Sequence, residues 1–68
     1  MIKELVNVIL NNEELINDIK KANKKAMKDV KNGKAFFPKM YLNVKNCSLF
    51  DAFNVSDIEA NKIVKEIA

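Results

Sequence analysis

The chain is 68 residues long, 49% hydrophobic and 31% charged, with a formal net charge of +3 and no histidine. A chain this short buries only about 60% of its unfolded surface, so it has room for one domain, residues 1–68, and pairing as a homodimer would add core. The composition excludes a disordered tail, no apolar run exceeds three residues as a membrane span would require, and a lone cysteine, Cys47, excludes an internal disulfide.

The elements follow from apolar spacing. Ile2, Leu5, Val6, Ile9 and Leu10 repeat at the interval of one helical face, which Val8 widens, so a largely buried first helix is expected. Asn11 with Glu14 three residues on reads as a capping box that opens a second helix. That helix should run to about Asn32, where Gly33 supplies the left-handed residue that ends it. Leu15, Ile16, Ile19, Ala22, Ala26, Met27 and Val30 fall on its inner side. Lys20, Lys24, Lys28 and Lys31 fall on the far side, flanked by Lys21 and Lys25.

Residues 40–45 admit two readings. Met40, Leu42 and Val44 alternate with Tyr41, Asn43 and Lys45, as in a strand that would have to pair across a dimer. Alternatively, Pro38 opens a short helix or irregular turn, the reading preferred here for residues 39–46 because no other segment has a strand pattern. Ser48 with Asp51 should cap a short helix carrying Leu49, Phe50, Ala52 and Phe53 and stopping near Asn54. Ser56 with Glu59 caps a last helix whose inner face is Ala60, Ile63, Val64 and Ile67. The expected fold is all-α, a small single-domain bundle of four to five helices.

Catalytic chemistry has little to work with. The chain lacks histidine for proton transfer, for a nucleophile's base and for a nitrogen ligand to a metal. Cys47 has no second cysteine beside it and reads as a small core residue. Gly33, the sole glycine, cannot build a phosphate loop. No enzymatic activity, catalytic residue, metal or cofactor is expected. Nor does the N-terminal stretch have a signal-peptide core, and a cytoplasmic setting is the expectation.

Two binding functions remain. Residues 20–45 carry nine lysines against Asp29 alone, between mildly acidic ends, and all twelve basic residues of the chain are lysine. Lys20, Lys21, Lys24, Lys25, Lys28 and Lys31 form a basic surface that could neutralise nucleic-acid phosphates. The segment from Leu49 to Ile67 resembles a helix-turn-helix in its apolar positions, but Phe50 stands where a small residue belongs and Asn54 replaces the turn glycine. A ribbon-helix-helix reading would use Tyr41, Asn43 and Lys45, followed by a helix several residues too short. Without arginine, the commonest guanine contact is missing. The favoured reading is therefore a protein-binding module, such as an inhibitor, adaptor or regulatory protein docking on a larger partner with an acidic surface. All five aromatics lie between Phe36 and Phe53, and Phe36 and Phe37 share one loop, from which only one can point inward. Phe36, Phe37, Tyr41 and Ile58, the last on the polar side of its own helix, are the candidate interface.

Overall fold

In the computed structural model, which describes residues 2–68, four α-helices and one 3₁₀ turn account for most of the chain. Helix α1 spans Ile2–Leu10, α2 Glu13–Lys31, α3 Val44–Ala52 and α4 Asp57–Ile67, with the 3₁₀ turn at Pro38–Tyr41 between α2 and α3. The protein is an all-α helical bundle; among the described residues there is no strand.

Helix α2 is the central element, with α1, the 3₁₀ turn and α4 packed along it. The core joins Leu5 and Ile9 of α1, Leu15, Ile19 and Ala22 of α2, Leu42, Phe50 of α3, Val55, and Ala60, Ile63 and Val64 of α4. Phe50 is the largest fully buried side chain, and Phe53 packs half-buried against the same cluster. The small residues Ala22, Ala26 and Ala60 remove bulk from the faces that α2 and α4 turn inward, which lets these helices approach closely.

The caps explain where helices begin and end. Asn12, not Asn11, caps α2: its Oδ1 accepts the Leu15 N–H at 3.1 Å. Asn11 instead closes α1, its N–H and side-chain amide both donating to the Asn7 carbonyl. At the other end of α2, Gly33 has φ +85°, its N–H donates to Val30 O, and the Lys34 N–H donates to Asp29 O. These are the paired bonds of a Schellman motif. Asn54, at φ +56°, does the same after α3, with Asn54 N–H to Asp51 O and Val55 N–H to Phe50 O. Val55 and Phe50 are both buried, completing the apolar contact that commonly accompanies this cap.

Several expectations are corrected. Helix α3 starts at Val44 rather than Ser48: Asn43 Oδ1 accepts the Asn46 N–H at 2.9 Å, while Ser48 back-bonds to the Val44 carbonyl. The alternation across residues 40–45 is not a strand, because its apolar members share no face: Leu42 is buried, Met40 is exposed and Val44 is 84% exposed. Helix α1 buries only Leu5 and Ile9, leaving Ile2, Val8 and Leu10 exposed because neighbours cover just one of its sides. Met27 and Val30 of α2 are also exposed. Val30 keeps the same bearing as Ile19 and Ala26, but it lines an open groove with Phe36, Pro38 and Lys65 and stays exposed.

Candidate functional site

The surface of interest forms where the chain leaves α2. After the Gly33 turn, residues 34–37 cross back over the end of the helix, and Pro38 pre-sets the backbone for the 3₁₀ turn at its first position. Phe37 is extended, with φ −96° and ψ 138°. An extended residue sends its side chain opposite to those of its neighbours. Phe36 and Pro38 accordingly line one groove, and Phe37 lines another. Phe36 is half-buried and Phe37 is 63% exposed, so only one of the pair is taken inward.

The first groove, of about 410 Å³, has an apolar floor of Ala26, Met27, Val30, Phe36 and Pro38. Asn23, Lys31 and Lys65 complete it, and no carboxylate lines it. Among the described residues ion pairs are confined to Lys39, so Lys31 and Lys65 have no acidic partner. The second groove, of about 280 Å³, is lined by Phe37, Lys39, Met40, Cys47, Asp57 and Asn61.

Tyr41 fixes the segment between the grooves to α2. Its hydroxyl donates to Asp29, Lys25 Nζ lies 5.0 Å from its ring centroid, and the Phe36 ring meets it edge-on at 5.7 Å. Loss of solvent, then the hydrogen bond to Asp29 and the charge of Asp29, push the Tyr41 phenol up to about 12. Lys39 ties three elements together. Its Nζ reaches Asp57 at 2.6 Å and Asp51 at 3.6 Å, and its backbone N–H donates to Asn61 Oδ1 at 2.7 Å. The hydrogen bond to Asp57, together with both carboxylate charges, holds the ammonium above its ordinary pKa despite partial desolvation.

The lysine face is solvent-exposed throughout: Lys20, Lys21, Lys24, Lys25, Lys28 and Lys31 all project from α2. Lys21, Lys24, Lys25 and Lys28 surround a basic concavity of about 380 Å³ with Asp29 at its edge. Lys31 belongs instead to the apolar groove. Ile58 is 72% exposed; Asp57 and Asn61 on either side of it line the Phe37 groove, but Ile58 does not. Phe36 and Lys25 are thus both brought against Tyr41, while Ile58 lines neither groove.

Cys47 is half-buried, with its thiol directed at the carbonyls of Lys39 and Leu42, 3.5 Å from each. Burial pushes the thiol pKa up, which leaves it a poor nucleophile at neutral pH. Among the described residues no three cysteine or carboxylate side chains converge to hold a metal ion. Sequence reasoning missed Met27, Val30 and Met40 as surface residues and Asn46 and Asn61 as buried ones. Nothing local marks Val30, Asn46 or Asn61. Comparison with protein-family models, with curated proteins and with solved structures returns no match.

Proposed function

We propose that the chain is a small non-enzymatic protein-binding module, an inhibitor, adaptor or regulatory protein that docks on a larger partner with an acidic surface. The observation that carries this reading is the gathering of Met27, Val30, Phe37 and Met40, all exposed, around the Phe36–Tyr41 segment. Isolated exposed apolar residues are ordinary, but several gathered in two grooves on either side of one segment give a partner apolar surface to bury. Aromatic and methionine side chains are also those enriched at interface cores. The raised thiol pKa of Cys47 and the lack of histidine support a role without catalysis. The test is affinity capture from an extract of the source cells, with and without nuclease, using the wild type and a Val30→Ser/Phe37→Ser variant. A protein retained after nuclease and lost with the variant is the expected result.

The basic concavity supports a second reading, nucleic-acid binding through α2. Its test is the variant with Lys21, Lys24, Lys25 and Lys28, the lysines of that concavity, changed to glutamine. Binding through these residues requires duplex affinity to fall and the log-log salt slope to flatten by about 0.9 per lost phosphate contact. The favoured reading expects weak, sequence-independent duplex binding already in the wild type at physiological salt. Tight sequence-specific binding in a gel shift would replace it.

A further inference from the structure

We infer that the Met27–Val30 groove accepts an amphipathic helix of a partner protein, with its apolar strip edged by glutamate or aspartate; this rests on the protein-binding reading above. Three observations lead there. The first is shape. Along α2 the lining residues Asn23, Ala26, Met27, Val30 and Lys31 repeat at helical spacing over nine positions, about 12 Å of axis, or roughly two turns of a helix laid alongside. Phe36 and Pro38, from the segment after Gly33, complete the apolar floor.

The second is hydrogen bonding. A peptide that docks by strand addition needs a free strand edge, and among the described residues there is no strand. The backbone beneath the groove is that of α2, with its N–H and C=O groups already bonded along the helix. A helix satisfies its own backbone and so asks no hydrogen bond of this surface.

The third is charge. Lys31 and Lys65 come from different helices, line the same apolar groove and, among the described residues, form no ion pair. Asp29, the acidic residue nearest Lys31 in sequence, is engaged by Tyr41, and Glu66, next to Lys65, lines a different concavity with Glu59 and Lys62. An acidic edge on the incoming helix complements these two lysines, and a basic edge is repelled. A second copy of the chain fits less well. Its most exposed apolar helix, α1, spreads Ile2, Val8 and Leu10 over roughly 200° of circumference, too wide for one strip.

The experiment uses the whole chain and three fluorescein-labelled synthetic peptides of about 15 residues, roughly 22 Å as helices. One has leucines at positions i, i+3, i+4 and i+7 in an alanine–glutamate background, the second has lysine for glutamate, and the third scrambles the first. Anisotropy should show the glutamate helix binding at least about tenfold tighter than either other peptide, since charge complementarity and strip continuity act together. The Met27 methyl signal should shift on titration. The Lys31→Glu/Lys65→Glu variant should reverse the preference to the lysine-edged helix, and Val30→Asp should weaken binding of the glutamate helix about tenfold.

Equal binding of the scrambled peptide would overturn the helix assignment in favour of simple polyanion attraction. An unchanged preference in the double reversal would overturn the groove as its location. Sedimentation showing self-association that Val30→Ser abolishes would assign the groove to a second copy instead. If cell-extract capture is nuclease-resistant and groove-dependent while the peptides show no preference, only this inference falls. If capture is nuclease-sensitive, the protein-binding reading falls with it.

Discussion

Tyr41 is the chain's sole tyrosine, so its ionisation can be followed by phenolate absorbance without interference. The native phenol should titrate near 12 against an ordinary value of 10, and Asp29→Asn should lower that midpoint by removing the carboxylate that holds the proton. Because the folded pKa is raised, the proton is held more tightly in the fold. The associated stability is fully present below pH 10 and is lost as pH rises through the folded value. Lys39, also raised, acts in the same direction above its ordinary 10.5. The urea midpoint should therefore fall between pH 10 and pH 12, and less steeply in Tyr41→Phe. Asn61 matters for a different reason. Asn61→Ala strands the Lys39 N–H, which should cost about 1–3 kcal/mol in a denaturant titration. Its burial was not legible in advance: among ten asparagines, it is one whose partner lies 22 residues away, and its place on the wheel beside Ile58 reads as polar surface.

The order of the helices and the long α2 were readable from apolar spacing and the Gly33 stop, whereas α3, with Val44 exposed and Asn46 buried, has no clear apolar stripe of its own. Helix starts were less legible, since neighbouring asparagines and serines compete for the same role. Asn11 and Asn12 can both cap, and the tie is decided by Asn11 folding back on Asn7. Asn43 prevails over Ser48 because starting at Val44 brings Asn46 inward, where its amide donates to Asp18 at 2.9 Å and joins α3 to α2. The Gly33 terminator needed only local information. A β-carbon there meets nothing within 4 Å, so Gly33→Ala suffers backbone strain alone, about 1–2 kcal/mol. For a domain of this size each kcal/mol corresponds to roughly 4–8 °C in melting temperature. Thermal circular dichroism checks it. Ser56→Ala, which removes the oxygen bonded to the Glu59 N–H, should cost about 1 kcal/mol.

For the molecule as a whole, the side chains that hold the core and those exposed around the grooves are different residues. The bundle measures 34 × 23 × 20 Å with a radius of gyration of 11.3 Å, close to the roughly 11 Å of a globule of this length. Its core is a single cluster, so Phe50→Ala should cost about 3–5 kcal/mol and leave little folded protein. Val30→Ser, Phe37→Ser and Ile58→Ser should each change stability by no more than about 0.5 kcal/mol, because those side chains already face solvent. Sedimentation and partner capture, not melting temperature, should register them. A large loss of stability from any of the three would return that residue to the core. The exposed end of α2 was hidden from pattern reading because periodicity reports which way a residue points, not whether another element arrives to cover it.

The tie at Lys39 also determines how the chain is cut. Trypsin requires a lysine side chain free to enter its specificity pocket and a backbone able to extend, conditions met first in exposed loops. Lys34 lies exposed in the irregular stretch after Gly33, whereas Lys39 has its ammonium clasped by Asp57 and Asp51 and its amide held by Asn61. Brief digestion should release a fragment ending at Lys34, with the bond after Lys39 surviving until that clasp is undone. Asp57→Asn should hasten the second cut more than the first, making protease sensitivity a gauge of whether the corner between α3 and α4 is closed.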